Sequence, residues 1–274
     1  MKLKSYLEAI NSEIVEFREE EIYSLYGTAN VGKSLYLLGE VANALSQGIR
    51  VIWLDTEGGL DGLKNKFMPK LVDRFHVKPE QLAELKYRRI FDIEQLALEF
   101  GIKLNIEYGD KKAGIYIKDT HDKTENTILS EYGRKRGNIM LVIDSFSSPF
   151  KLEFTTNVEN FSGRADAMSA VMLGIVKFMA KTKAFTVLTH HTSINPTNPY
   201  EVSGAMRGGI TVRYYSKYIL SFEKRKSKKL EDYRRIVAIR TSEAREGEIV
   251  RWAQIKDDGY YDSSEAIVEE LMKK

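Results

Sequence analysis

The sequence contains no cysteine. That excludes a disulfide scaffold, a thiolate zinc site, an iron–sulfur cluster and a cysteine nucleophile. Prolines number only five, two of them (Pro196 and Pro199) in one stretch, so no proline-rich linker divides the chain. No apolar run approaches the roughly 18 residues of a membrane span. The first twenty residues are charged throughout and lack the apolar centre of a signal peptide. A soluble, cytoplasmic protein that does not enter a membrane is therefore expected. Charge of one sign is also scarce: 42 Lys and Arg face 39 Asp and Glu, for a formal net charge of +3, so bulk charge points to no partner. With four histidines and no cysteine there is little material for a soft-ligand metal site.

What remains is a globular composition, 43% hydrophobic and 30% charged over 274 residues. Apolar strands and amphipathic helices alternate. Glu21–Tyr26 alternates in polarity and leads through a glycine-rich turn into a helix over Ser34–Gln47, with Gly48 placed to stop it. Arg50–Leu54, Asn138–Ile143 and Ala184–Leu188 are short continuous apolar runs, as strands buried on both faces require. Asp166–Thr182 carries Met168, Val171, Met172, Ile175, Val176 and Met179 on one helical stripe. This order predicts a parallel sheet covered on both faces. Tyr218–Glu223, Arg235–Ser242 and Ile249–Ile255, separated by polar turns, predict antiparallel strands, and Ser263–Lys274 a terminal helix. Lys103–Glu107 and Ile115–Lys118 flank a glycine-containing turn and read as a β-hairpin insertion over about 102–120. The expectation is one α/β domain spanning 1–274, with that hairpin added.

Gly27, Thr28, Ala29, Asn30, Val31, Gly32, Lys33 and Ser34 fit G-x-x-x-x-G-K-[ST] without deviation, after a strand and before a helix. Backbone N–H groups of such a loop converge on phosphate oxygens, and the helix entered at Lys33, Ser34 and Leu35 adds its positive dipole end. Lys33 is expected to reach the β- and γ-phosphates of ATP, and Ser34 to ligate Mg²⁺. Asp144 ends the apolar run Asn138–Ile143 in a carboxylate and is the second expected Mg²⁺ anchor. Glu57, in Leu54-Asp55-Thr56-Glu57-Gly58-Gly59, is the candidate for polarising the attacking water, with Asp55 its rival. His190 and His191 follow the Ala184–Leu188 strand; either is placed to sense the γ-phosphate. Neighbours on an extended segment point to opposite faces, which argues against both holding one metal ion.

Taken together, these elements resemble the RecA/RadA recombinase superfamily of ATPases over roughly Glu20 to Asp262. The order P-loop, Leu54-Asp55-Thr56-Glu57-Gly58, Val142-Ile143-Asp144-Ser145 carries the resemblance. Phe161-Ser162-Gly163-Arg164 looks like the first DNA-contacting loop, and Thr192–Gly209 the second. The resemblance implies a RecA-like core with the strand Thr186–Thr189 between the P-loop strand and the Asp144 strand. It implies ATP and Mg²⁺ as cofactors, and DNA contacts through Arg164, Arg207 and Arg213. Seven residues after Glu57, Lys64 falls where the family covers adenine, and Asp61 is a candidate acceptor from the adenine amino group. Departures from the pattern are informative. The P-loop begins at Gly27, so the N-terminal DNA-binding domain of full RadA is expected to be absent. His191 occupies a position where relatives carry glutamine. Tyr6-Leu7-Glu8-Ala9 mimics a polymerisation motif but reads as part of a short helix opening the core. The chain thus looks like a RadA paralogue of the archaeal RadB or KaiC-like kind.

That resemblance leaves two functions open. One is an ATPase acting on single- or double-stranded DNA in recombination or repair, beside a recombinase or repair-protein partner. The other is a KaiC-like nucleotide-dependent module that assembles with a protein partner without DNA. In either case a homo-oligomer is possible. Arg207–Arg235 holds ten basic and three acidic residues, a local charge of +7, with Tyr214, Tyr215, Tyr218, Phe222 and Tyr233 interleaved. Such a segment suits phosphate contact and base stacking; it is also what a solvated turn backed by core tyrosines looks like.

Overall fold

The computed structural model describes residues 2–7, 16–108, 113–119, 126–153, 161–192, 209–240 and 250–273. Its strands are β1 (Lys2–Lys4), β2 (Glu16–Arg18), β3 (Ile22–Gly27), β4 (Arg50–Asp55), β5 (Leu85–Arg89), β6 (Ile102–Tyr108), β7 (Ala113–Asp119), β8 (Ile139–Asp144), β9 (Phe185–His191), β10 (Tyr218–Glu223), β11 (Tyr233–Arg240), β12 (Val250–Lys256) and β13 (Gly259–Ser263). Its helices are α1 (Lys33–Ser46), α2 (Leu60–Phe75), α3 (Pro79–Leu82), α4 (Ile93–Glu99), α5 (Ile128–Tyr132), α6 (Ser148–Glu153), α7 (Phe161–Thr182), α8 (Gly209–Tyr215) and α9 (Glu265–Lys273).

Nine strands form one sheet in the order β13-β12-β11-β10-β3-β9-β8-β4-β5. The six from β10 to β5 are parallel. From β10 outward to β13 the pairing turns antiparallel. β9 lies between β3 and β8, as the resemblance implies. This is a RecA-like α/β core with antiparallel C-terminal strands. The inserted hairpin is also present: β6 and β7 pair antiparallel, with Lys103 opposite Lys118.

The continuous apolar runs follow from burial on both faces. Val51 and Trp53 of β4, with Met140 and Val142 of β8, pack beneath α1 and α2. Ile52 and Leu54, with Ile139, Leu141 and Ile143, pack on the opposite side with α4, α5, α7 and α8. Each fully buried side chain of this size contributes about 1.5–3 kcal/mol relative to exposure, so neither register nor face can slip cheaply. Among the described residues, no helix is long and apolar enough to cross a membrane.

Several elements escape the hydrophobic pattern. β5 is Leu-Lys-Tyr-Arg-Arg, an edge strand whose two arginines are held by acids: Arg88 Nη1 lies 3.1 Å from both carboxylate oxygens of Glu99, and Arg89 Nη1 3.7 Å from Asp55. β11 begins at Tyr233, two residues before the expected start, and α7 begins at Phe161, five before. The N-terminal segment is a strap. Leu3, Leu7 and Phe17 are fully buried, and Tyr6 packs on Tyr36 of α1 with ring centroids 5.7 Å apart. Tyr6 and Leu7 follow β1 in an irregular bend, not the expected helix, while Glu8 and Ala9 lie outside the described residues.

The strap is tied to α1 through one buried carboxyl. Glu40 is wholly inaccessible and accepts from the hydroxyls of Ser5 and Tyr36, with the Tyr6 N–H at 3.4 Å. Burial pushes this carboxyl up to about 7, against the opposing pull of those hydrogen bonds. An unfolded Glu40 releases its proton near 4.5. Between these values the folded chain binds more protons, so this group's stabilising contribution is largest at or below pH 4.5 and declines as the pH rises to about 7. Glu40→Gln should therefore melt close to wild type at pH 5 and at least about 2 °C above it at pH 8, followed by circular dichroism. A gap that does not widen with pH would mean that Glu40 ionisation is not its cause.

Candidate nucleotide site

The parallel strands all end at one sheet edge, and there the motif residues meet. β3 ends at Gly27, α1 starts at Lys33, and Gly32 between them has φ 103°, a left-handed conformation that favours glycine. A Cβ on Gly27 would sit 2.5 Å from the Phe222 carbonyl oxygen of β10, so the loop passes β10 only as glycine. Lys33 Nζ donates to the carbonyls of Gly27 (3.1 Å) and Thr28 (3.0 Å), bending over the loop. Burial lowers the Lys33 ammonium, while Asp144 and Glu57 work in the opposite direction.

Asp144 closes β8 and is buried. It accepts hydrogen bonds from the Ser34 and Thr189 hydroxyls; burial nevertheless raises its carboxyl. A hydroxyl from the first turn of α1 against a carboxylate from the neighbouring strand end is a donor set of hard oxygens, which suits Mg²⁺. Ser34 and Asp144 would hold that ion.

Three strand exits are laced together. Thr56 N donates to the Asp144 carbonyl (2.9 Å), and the Thr56 hydroxyl bonds both the carbonyl (2.7 Å) and N–H (2.9 Å) of Ser145. Phe146 N donates to the Thr189 carbonyl at 2.9 Å. The lacing sets the two carboxylates after β4 apart in role. Asp55 accepts from the N–H groups of Glu57 (3.0 Å) and Gly58 (2.8 Å) and from the Tyr87 hydroxyl (2.8 Å), so it is spent on shaping the turn. Both line the cleft, but Glu57 accepts there from the Ser148 hydroxyl at 2.7 Å and from His191 Nε2, not from its own turn.

Successive side chains at the end of β9 diverge. His191 lines the cleft. His190 is fully buried away from it, with Nε2 3.2 Å from the Ser24 hydroxyl and its ring edge-on to Phe146. Among the described residues no cluster of three His, Asp or Glu forms a metal site of its own.

The cleft encloses about 420 Å³. Ala29, Asn30, Gly32, Lys33, Ser34 and Leu35 of the predicted loop line it; Gly27, Thr28 and Val31 support it from behind. Beyond the loop the wall is apolar, made by Leu60, Leu63, Phe67 and Ile255. The two residues expected near adenine are not among those that line the cleft. Lys64 lies over the Tyr87 ring, Nζ 5.5 Å from its centroid, and Asp61 is exposed on the first turn of α2; neither lines the cleft. A helical turn carries the apolar face inward and these polar residues outward, a phase that the single Glu57-to-Lys64 spacing does not reveal.

Two residues of the site escape the motif altogether. Arg234 of β11 and Tyr260 of β13 both donate to the Val31 carbonyl, at 2.7 and 3.2 Å. In the sequence Arg234 belongs to the basic segment 207–235; in the structure it is buried at 6% exposure. Tyr218 and Phe222 of that segment are core side chains, whereas Tyr214 is 78% exposed. Arg164 stands in the first turn of α7 and Arg213 on α8, two helices that touch where Ser169 and Thr211 hydroxyls lie 3.5 Å apart. Arg207 lies outside the described residues, as does most of Thr192–Gly209.

The Glu57 carboxyl is lifted by burial, but hydrogen bonds from His191 and Ser148, with the charges of His191 and Lys33, more than offset this and bring it down to about 2. Its ionisation thus supports the fold above the ordinary range near 4.5 and fails only as the pH falls through about 2. His191→Ala should move the Glu57 side-chain titration up by a unit or more, as followed by carbon NMR on the Glu57 carboxyl. An unmoved titration would show that His191 does not set it.

No protein-family model and no curated protein sequence matches the chain. Among solved structures, one titled "Crystal structure of the RadB recombinase" is similar over 96% of this chain and 100% of its own, with a TM-score of 0.66 at 18% identity. At that identity the likeness is one of fold: a RecA-like core.

Proposed function

We propose that this protein binds ATP with Mg²⁺, hydrolyses it, and acts in DNA recombination or repair as a RadA-like paralogue. The observation carrying the proposal is the meeting of Lys33, Ser34, Asp144, Glu57 and His191 in one cleft at the carboxyl edge of a parallel sheet, where such sheets bind ligands. The fold likeness to a RadB recombinase supports the recombination setting.

In this reading the loop N–H groups and Lys33 hold the β- and γ-phosphates. Ser34 and Asp144 hold Mg²⁺, which when bound neutralises charge on the phosphate oxygens. Glu57, kept ionised, orients a water for attack on the γ-phosphate. Its carboxylate is already engaged by Ser148 and His191. A γ-phosphate competing for that water therefore disturbs His191, and through it the segment that follows. DNA contact would then fall to Arg164, Arg207 and Arg213.

A specific observation favours the alternative, a KaiC-like regulatory module with a protein partner. Of the ten basic residues in 207–235, Arg234 is used internally, Arg235 pairs with Glu223, Lys217 with Glu21 and Lys224 with Glu231. The segment thus presents less free charge than its composition suggests.

Phosphate release under steady-state conditions tests the enzyme. Lys33→Ala and Glu57→Gln should each lower turnover by about 100-fold or more; wild-type turnover no higher than either variant would end the ATPase reading. A salt titration of single-stranded DNA binding separates the alternatives. A DNA-acting protein should bind at about 50 mM salt and weaken linearly on a log–log scale, and Arg164→Ala with Arg207→Ala should cut DNA affinity while sparing ATP affinity. Absence of binding at low salt favours the protein-partner module.

A further inference from the structure

We propose that Arg234 is a cation of the phosphate site, a guanidinium stored beside the P-loop that takes a nucleoside polyphosphate as its counter-ion. The proposal rests on the nucleotide reading of the cleft and adds a residue that the P-loop pattern does not contain.

Arg234 is buried, yet it lines the same cleft as Lys33 and Ser34. Among the described residues its hydrogen-bond partners are all main-chain carbonyls. Nε donates to Val31 at 2.7 Å, and Nη1 to Glu231 at 2.6 Å and Tyr233 at 2.8 Å. Of the nearby acids, Glu231 faces Lys224, Glu223 faces Arg235 and Asp232 is exposed. Among the described residues no carboxylate pairs with Arg234. The cleft's own carboxylates, Asp55, Glu57 and Asp144, come from β4, β8 and the turn after β4. Those strands lie on the other side of β3 from β11. Burying an arginine without an anion is costly unless a ligand supplies one, and its planar fork matches phosphate oxygens. Nη2 makes no hydrogen bond among the described residues, so it remains for what enters the cleft.

The bond to Val31 adds a geometric part. A trans peptide sets its C=O and N–H in opposite directions. With the Val31 carbonyl turned out onto Arg234 and Tyr260, the N–H of Gly32 in the same peptide is turned the other way, as a donor within the loop. Arg234 therefore holds one phosphate donor while contributing its own charge.

Calorimetric titration of the full chain with MgATP, at several salt concentrations, tests the proposal. Wild type is first compared with Lys33→Ala; equal affinity there would overturn the nucleotide reading itself, and Arg234 with it. Given tighter wild-type binding, Arg234→Gln should bind MgATP about tenfold or more weakly and with a shallower salt dependence. Arg234→Lys, which keeps the charge but loses the fork, should bind between Arg234→Gln and wild type and keep the wild-type salt dependence. Tyr260→Phe removes the other bond to the Val31 carbonyl without changing charge, so it should leave the salt dependence unchanged. An unaltered Arg234→Gln, or an Arg234→Lys as weak as Arg234→Gln, would overturn the proposal. Should Arg234→Gln fail to fold, the Arg234→Lys and Tyr260→Phe pair still decides: equal loss of ATP affinity in both, with the wild-type salt slope, would make Arg234 only a prop.

Discussion

Five parallel strands buried on both faces, with β5 alongside at the edge, have to release their chain at the same sheet edge, and the chemistry of this protein depends on that constraint. The exits of β4, β8, β9 and β3 are pinned to one another: Thr56 N to the Asp144 carbonyl and its hydroxyl to the Ser145 carbonyl, Phe146 N to the Thr189 carbonyl, and Thr192 N to the Gly27 carbonyl at 3.3 Å. Residues separated by more than a hundred positions thereby stand side by side. Lys33, Glu57, Asp144 and His191 need no contact in sequence, because the sheet order β3-β9-β8-β4 brings their strand ends together. The core supplies the rigidity. With Val51 and Trp53 on one face and Ile52 and Leu54 on the other, a one-residue slip of β4 would invert every buried side chain.

The loop that would cradle phosphate is held from three directions. β10 presses the Phe222 carbonyl against Gly27. β11 and β13 take the Val31 carbonyl through Arg234 and Tyr260. The N-terminal strap locks α1 through Glu40, Ser5 and Tyr36. The antiparallel half of the sheet is therefore part of the site's support, and its tie to the loop explains why a buried arginine sits in a segment that composition marks as surface. Electrostatically the cleft keeps its groups in different states. Glu57 is brought down by its hydrogen-bond donors, whereas burial raises Asp144 despite its own. A carboxylate kept ionised beside the cleft suits the orientation of water, and one enclosed by hydroxyls suits a divalent ion.

Much of this was legible from residues alone. Glycine spacing, an apolar run ending in Asp144, and acids after the second strand each rest on local chemistry that tolerates few alternatives, so the loop and the sheet core were readable. β5 was not, because an edge strand carrying Lys86, Arg88 and Arg89 lacks the apolar run of its neighbours; its charges make sense only with Glu99, Glu131 and Asp55 in place. Lys64 and Asp61 fall outside the cleft lining, because spacing from Glu57 does not report the phase of α2.

By itself, then, the amino-acid sequence determined the α/β class, the parallel core and the glycine-rich loop between β3 and α1, since these follow from hydrophobic period and from conformations that glycine adopts readily. Only the tertiary structure decided which of two adjacent histidines faces the cleft, which of two nearby carboxylates is taken up by its own turn, and that Arg234 belongs to the loop and not to a basic surface. Those choices are made by side-chain direction and by partners far away in the chain, and neither is written in local spacing.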